Sequence, residues 1–352
     1  MPRPKKKQTR PAASASAPPS ARMLDLIIGY WVSQLVHVAA KLQLADLLKD
    51  GPKSCAELAA RTGTEPHRLY RLLRALASVG VFAERKAGRF ALTPLATTLR
   101  SDRPDSMRDF ALMMVERYNW DPWSRLLDGV SGEEVPFHAV HGMNAFEYLA
   151  KHPDDGVIFG RSMTSLSRTE NPAVEAAYDF SRLGTLVDVG GSHGHLLAAI
   201  LQKNRRLRGI LFDQPHVLEQ AKRAPYVSGS AVKERIKMMP GDFFISVPEG
   251  ADAYIMKYIL HDWDDDACVT ILKHCRQSMA IGGRVLVVDT VIPPGNRRHW
   301  GKLLDINMLV ATGGRERTKE EFGAIFQAAG LKIRRIHPTA CPLSIVEGVS
   351  AS

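Results

Sequence analysis

The residues best suited to proton chemistry lie in one short stretch, Leu260-His261-Asp262-Trp263-Asp264-Asp265-Asp266. The apolar run Ala253–Met256 before it has strand character, which places His261 and Asp262 in a loop above a strand's carboxyl end. An imidazole there, with an unperturbed pKa of about 6.5, is mostly neutral near neutral pH and can serve as a general base. Asp264 or Asp265 suits the N-cap of the helix that follows, leaving His261 and Asp262 to face whatever binds above the sheet.

A second stretch offers a ligand cradle. Leu186-Val187-Asp188-Val189-Gly190-Gly191-Ser192-His193-Gly194-His195 reads as a strand, a glycine turn and the start of a helix. Such a turn lets a nucleotide approach the backbone, and the helix N-terminus adds partial positive charge. Nicotinamide binding wants Gly-x-Gly-x-x-Gly; counted from Gly190, Ser192 and His195 stand where that pattern needs glycine. Asp188 would repel a pyrophosphate and welcome a ligand with a cationic amino acid end. Asp213 after the next strand is spaced to take a ribose diol, and Gly241-Asp242-Phe243-Phe244 after the third could hold an adenine amino group and cover its ring. A helix cap accounts for either of these two acids singly; three acids at three successive strand ends favour a nucleoside crevice.

These side chains need a sheet to carry them. From Thr185 onward short β-branched runs alternate with helical stretches, the pattern of a parallel sheet with helices on both faces. Strands are expected at 186–189, 209–212, 236–239, 253–256 and 284–289, then at 332–337 and 344–349 after a helix over 318–329. Upstream, 105–180 reads as several helices, one of them over 107–118. Met113, Met114, Tyr118, Trp120, Trp123, Phe137, Phe146, Phe159 and Met163 could line an apolar pocket there or serve as plain core. Residues 54–93 read as two short helices, a turn and a hairpin, a winged helix-turn-helix. His67, Arg68, Arg71 and Arg74 on its second helix invite a DNA-contact reading, but Leu69, Leu72, Leu73 and Leu76 mark the helix as built for packing. Met23 to Leu48 carries a helical apolar stripe broad enough for a subunit partner as well as a core.

Composition narrows the field. The chain has 352 residues, 45% hydrophobic, with a formal charge of +10. Six of those positive charges, Arg3, Lys5, Lys6, Lys7, Arg10 and Arg22, precede residue 23 in a Pro- and Ser-rich stretch expected to be a disordered tail over 1–22. The remaining body, at only +4, lacks the basic face of a nucleic-acid binder. Cys55, Cys268, Cys275 and Cys341 form no Cys-x-x-Cys pair, so buried thiols in a reducing, cytoplasmic setting are expected rather than disulfides or a zinc site. No apolar run reaches membrane-span length.

Val-Asp-Val-Gly-Gly, Gly-Asp-Phe-Phe, Leu-His-Asp-Trp-Asp-Asp and Gly-Gly-Arg-Glu-Arg-Thr, in this order over about 185–350, resemble the small-molecule O-methyltransferases that use S-adenosylmethionine. That group includes caffeic acid, flavonoid and acetylserotonin O-methyltransferases and bacterial enzymes acting on phenazines, anthracyclines and carotenoids. The resemblance implies an α/β fold: a C-terminal Rossmann-like methyltransferase domain with a mostly parallel seven-stranded sheet (181–352), behind a helical pocket segment (105–180) and a winged-helix dimerisation domain (23–104). It implies that Gly190, Gly191 and Asp213, beside Asp188, hold the amino acid and ribose parts of the cofactor. Asp242 and Phe243 would hold the adenine, and Lys257 would add a polar contact. His261 would be the base, oriented by Glu316; Asp289 stands where plant members have a second glutamate, and its share in that role is open. Met163 and Met308 would flank an aromatic acceptor, with Phe159 and Asp262 also on the substrate side.

Implied, then, are a homodimer, a small hydroxylated aromatic substrate, S-adenosylhomocysteine as product and no metal, with neither nucleic acid nor membrane as partner. Ser192 in place of a third glycine, and His193 beside it, depart from the family's turn. A methyltransferase-like decarboxylase or hydroxylase, a nucleoside-sensing DNA-binding regulator and an NAD-dependent oxidoreductase are the rival readings.

Overall fold

The computed structural model describes residues 18–228 and 232–351, so most of the expected tail lies outside the described residues. Pro19–Arg22, read as tail, instead open the helix Pro19–Ile27; proline suits a first helical turn, where its missing N–H leaves no bond unmade. The chain divides into two compact units, 1–95 and 96–352.

In the first unit, helices Gly29–Lys41, Leu44–Leu47, Cys55–Thr62 and Pro66–Ser78 accompany a small sheet. Its strands are β1 (Lys53–Ser54), β2 (Phe82–Arg85) and β3 (Arg89–Leu92), in the order β1-β3-β2. Ser54 and Glu57 form a capping box on the first winged helix, and Glu65 accepts the His67 and Arg68 N–H groups on the second. Leu58, Leu69, Leu73, Leu76, Phe82 and Phe90 fill the core, while Arg68, Arg71 and Arg74 face out. Met23, Leu24, Leu26, Ile27, Tyr30 and Trp31 are all more than half exposed, a continuous apolar face on the first two helices. Among the described residues no single helix is long and apolar enough to cross a membrane; this helix pair, bent by 41°, passes that test only when joined.

In the second unit, the seven expected strands form: β4 (Thr185–Val189), β5 (Arg208–Asp213), β6 (Ile236–Pro240), β7 (Ala253–Lys257), β8 (Arg284–Asp289), β11 (Leu331–Pro338) and β12 (Ser344–Ser350). A short parallel pair, β9 (Val291–Ile292) with β10 (Arg317–Thr318), lies outside that sheet. The sheet order is β11-β12-β8-β7-β4-β5-β6, parallel throughout except for both pairings of β12. Apolar clusters cover both faces, one around Leu186, Ile200, Leu211 and Ile255, the other around Val187, Tyr254, Ile271 and Phe322. The chain leaves β4 for β5 on one side and returns to β7 on the other. The crevice outside the carboxyl ends of β4, β5 and β7 is therefore the expected ligand site of such a fold.

The helical segment differs in detail from its reading. One helix over 107–118 is replaced by two short ones, Arg108–Met113 and Arg117–Trp120, because Glu116 takes an extended backbone between them. The long helix Pro153–Ala177 packs on both Arg108–Met113 and His195–Lys203. Met113, Tyr118 and Phe137 are buried together, with Met114, Phe159 and Met163 packed against them, so these pocket candidates build a local core.

Close packing of sheet and helix gives the first test. A Cβ on Gly348 in β12 would stand 2.3 Å from Cε1 of the buried Phe326, which has no room to yield. Gly348→Ala is expected to lower unfolding stability by about 1–3 kcal/mol, read as a lower urea midpoint with an unchanged slope.

Candidate functional site

The glycine turn after β4 owes its shape to sterics. Gly190, Ser192 and Gly194 have φ of +66°, +51° and +77°, and a Cβ on Gly190 would lie 2.5 Å from Ile259 Cδ1. Ser192 takes the left-handed conformation despite its side chain, and its N–H donates to Asp213 Oδ2 at 2.7 Å. Gln214 N–H donates to Asp213 Oδ1 at 2.7 Å, so Asp213 ties the turn to the end of β5; burial raises its pKa. Asp188 is 2% exposed beneath Gly191, and its Oδ2 meets no hydrogen-bond partner. Burial, with Asp213's charge in support, pushes Asp188 up to about 7, against the pull of Lys257.

Asp242 caps its own turn, accepting Phe244 N–H at 2.8 Å. The Phe243 ring lies edge-on to Phe244 and Trp263 and stands beside Gly190. His193, half-buried, lies between Gln220 and Gly160 of the long helix, whereas His195 turns in toward Asn171 and is pushed down to about 4 by burial.

His261 occupies a 3-10 turn, Leu260–Asp262, just beyond β7. Its ring is 7% exposed, and Nδ1 lies 2.7 Å from Glu316 Oε1. A carboxylate only accepts, so Nδ1 carries a proton in either charge state, and Nε2 offers a lone pair only when the ring is neutral. Nε2 is 3.7 Å from Asp262 Oδ1, beyond hydrogen-bond reach. Burial by itself would lower the imidazole pKa; Asp262, Glu316 and Asp289 outweigh it and raise His261 to about 10. Burial in turn raises Asp262 to about 6 and pushes Asp289 up as well. Asp289 Oδ1 accepts the Tyr258 N–H at 3.0 Å, and the carboxylate acts on the imidazole through charge.

Several residues that shape this site escaped the sequence reading. Arg317 is 1% exposed, and its guanidinium donates to Leu260 O at 2.8 Å, Trp263 O at 2.9 Å and Asp265 Oδ1 at 2.8 Å. It brackets the turn that carries His261. The β9–β10 pairing sets Arg317 opposite Val291, and Asp305 Oδ1 takes Glu316 N–H at 2.9 Å. Gly314 is required by proximity, since a Cβ there would lie 2.1 Å from His261 O. Asp264 is the N-cap of helix Asp265–Ser278, one of the two acids weighed for that place.

Lys257 turns toward the long helix, pairing with Glu170 Oε2 at 2.8 Å and donating to Ser167 Oγ at 3.1 Å. Met308 is buried in helix Trp300–Ala311, while Phe159 and Met163 lie on the helical-segment core. Cys268 and Cys275 are buried free thiols raised to about 12, and His274 between them donates its Nδ1–H to Phe243 O rather than joining them. Among the described residues no group of three His, Cys, Asp or Glu side chains is placed to hold a metal.

The arrangement can hold a cationic nucleoside near a buried, carboxylate-backed imidazole. The comparisons agree with that chemistry. Residues 123–332 match the O-methyltransferase domain, and 24–102 match the O-methyltransferase dimerisation domain. The chain is 44% identical to phenazine O-methyltransferase PhzM of Lysobacter antibioticus, over 95% of this chain and 97% of that one. The crystal structure of LaPhzM superposes with a TM-score of 0.89 at 44% identity, covering 95% and 100% of the two chains. NcsB1, an O-methyltransferase from neocarzinostatin biosynthesis solved with S-adenosylmethionine and 2-hydroxy-5-methyl naphthoic acid, matches at 31% identity with a TM-score of 0.79, covering 96% and 100%. The chain therefore belongs to the O-methyltransferase family, with that family's dimerisation domain ahead of its catalytic domain.

Proposed function

We propose that this enzyme transfers the methyl group of S-adenosylmethionine to a hydroxyl of a small aromatic secondary metabolite of phenol, phenazine or quinone type, working as a homodimer. The observation that carries the reading is the buried His261–Glu316 pair beside a crevice whose walls supply Asp188 and Asp213. Asp188, with a buried oxygen lacking a partner beneath a turn that admits no Cβ at Gly190 or Gly191, fits a ligand with a cationic amino acid end. Asp213 would hold its ribose, Asp242 and Phe243 its adenine. When bound, this cofactor supplies an activated methyl group.

The protein's own work is alignment and proton removal. Nε2 of His261 takes the acceptor's hydroxyl proton as the oxygen–carbon bond forms, and Glu316 stabilises the resulting imidazolium through Nδ1. A phenol, with a pKa of about 10, is a sensible partner for an imidazole whose proton affinity has been raised to that range. Met163, Met308, Phe159 and Asp262 are proposed to border the acceptor. The exposed apolar face of Met23–Trp31, inside the stretch matching the dimerisation domain, supports self-association over DNA contact.

Calorimetric titration with S-adenosylhomocysteine, with NADH as comparison, tests the cofactor assignment. Micromolar binding of the former alone is expected, and a preference for NADH would overturn it. Given a methylated acceptor, identified by its methyl mass shift, His261→Ala should lower kcat by about 10²–10⁴ while leaving S-adenosylhomocysteine affinity nearly intact.

The pH profile carries a second test. The neighbouring carboxylates hold a proton on His261, so as pH rises the neutral base becomes available and kcat should climb along an acid limb. Glu316→Gln removes one of those negative charges, so the imidazole loses its proton at lower pH. The limb should move to lower pH with a reduced plateau; a limb that stays in place would assign the proton transfer to another group.

A further inference from the structure

Tyr258, directly after β7, has φ of +57°, one of four non-glycine residues with positive φ among those described. A bulky aromatic holds this conformation at a cost of about 1–3 kcal/mol and only where its surroundings enforce it. Here Asp289 Oδ1 anchors its N–H, and its hydroxyl donates to Glu170 Oε1 at 2.7 Å. Glu170 comes from the long helix Pro153–Ala177 and is buried; its other oxygen pairs with Lys257, whose Nζ also lies 5.1 Å from the Tyr258 ring centroid. The strained turn sets the phenol ring nearly parallel to the His261 imidazole, with centroids 5.0 Å apart and planes at 24°.

A buried ion pair seldom adds net stability over apolar packing, so Lys257–Glu170 calls for another account. Geometry supplies one. The hydrogen bond from Nδ1 to Glu316 fixes one corner of the imidazole but leaves the ring free to tilt about that contact, swinging Nε2. A second ring lying flat against it removes that freedom.

We propose that Tyr258 is a positioning residue for the base: Lys257 holds Glu170, Glu170 holds the Tyr258 hydroxyl, and the phenol ring holds the plane of His261. This rests on the reading of His261 as the base. It also links the base to the helix bearing Phe159 and Met163, so that one element sets both the acceptor border and the imidazole.

Tyr258→Phe keeps the ring but frees it from Glu170; Glu170→Ala removes the tether from the other end; Glu170→Gln retains an acceptor for the hydroxyl. Both Tyr258→Phe and Glu170→Ala should lower kcat about tenfold with acceptor KM and S-adenosylhomocysteine affinity unchanged. Their double variant should be no worse than either alone, and Glu170→Gln should recover part of the loss. In histidine-labelled protein the His261 ring resonance, assigned by its disappearance in His261→Ala, should shift or broaden in Tyr258→Phe. Wild-type kcat together with an unmoved resonance in Tyr258→Phe would overturn the proposal, as would strictly additive losses in the double variant. If the wild type binds S-adenosylhomocysteine but methylates no acceptor, the functional reading fails separately, and the ring resonance still decides whether Tyr258 orients His261.

Discussion

A buried guanidinium, that of Arg317, braces the turn that carries His261. Within the 3-10 turn Leu260–Asp262, Leu260 O takes the Trp263 N–H at 3.3 Å and the Cys268 thiol at 3.1 Å. Arg317 adds charged donors to Leu260 O and Trp263 O, pinning the turn from the side, and Asp265 balances its charge. Arginine suits this place because its planar fork reaches several acceptors at once and stays ionised when buried. Because Glu316 is the next residue back, whatever fixes Arg317 fixes the orienting carboxylate too. The short β9–β10 pairing, Asp305 on Glu316 N–H and the close approach at Gly314 all bear on the same few atoms.

Charge then does the rest. Asp262, Asp289 and Glu316 surround one imidazole, and Asp188 and Asp213 stand at the ends of the adjacent strands. So many buried acids could not all ionise without compensation, which is why burial raises Asp188, Asp262 and Asp289 and why the imidazole gathers a proton. A ligand carrying positive charge relieves this crowding, whereas a pyrophosphate would add to it. The electrostatics thus favour a cationic cofactor, and Ser192 and His195, standing where a nicotinamide dinucleotide's turn needs glycine, disfavour that ligand on separate grounds.

What could be read in advance follows from the range of each interaction. The loops after β4, β5, β6 and β7 were legible because each chemical residue lies within a few positions of a strand whose β-branched pattern announces it. Glu316 and Asp289 were nameable only through family resemblance, and their different attachments, one to the imidazole ring and one to Tyr258 N–H, depend on backbone turns that no periodicity encodes. Arg317 stands in plain view inside Gly-Gly-Arg-Glu-Arg-Thr, yet nothing local marks it as buried, since Leu260, Trp263 and Asp265, which it holds, lie more than 50 residues away. Tyr258 and Glu170 are 88 residues apart, joined through a backbone conformation that a tyrosine's propensities argue against. The break near Glu116 was lost because apolar spacing continues across it.

The helical segment sets a limit on how acceptor choice can be achieved. Met113, Tyr118 and Phe137 are consumed in their own core, and Phe159 and Met163 lean on that core from the long helix. Residues with one side against a packed cluster and the other toward a ligand have little freedom to adapt, since interiors at crystal-like density transmit a change of even one methylene. With Phe159 and Met163 bordering the acceptor, as proposed, substitutions within this cluster would alter the acceptor's surroundings without touching the crevice after β4 and β5. The same long helix also carries Glu170, the partner of both Lys257 and Tyr258. On the function proposed above, a shift that reshapes the acceptor border would be felt at the imidazole, tying the choice of substrate to the geometry of proton removal.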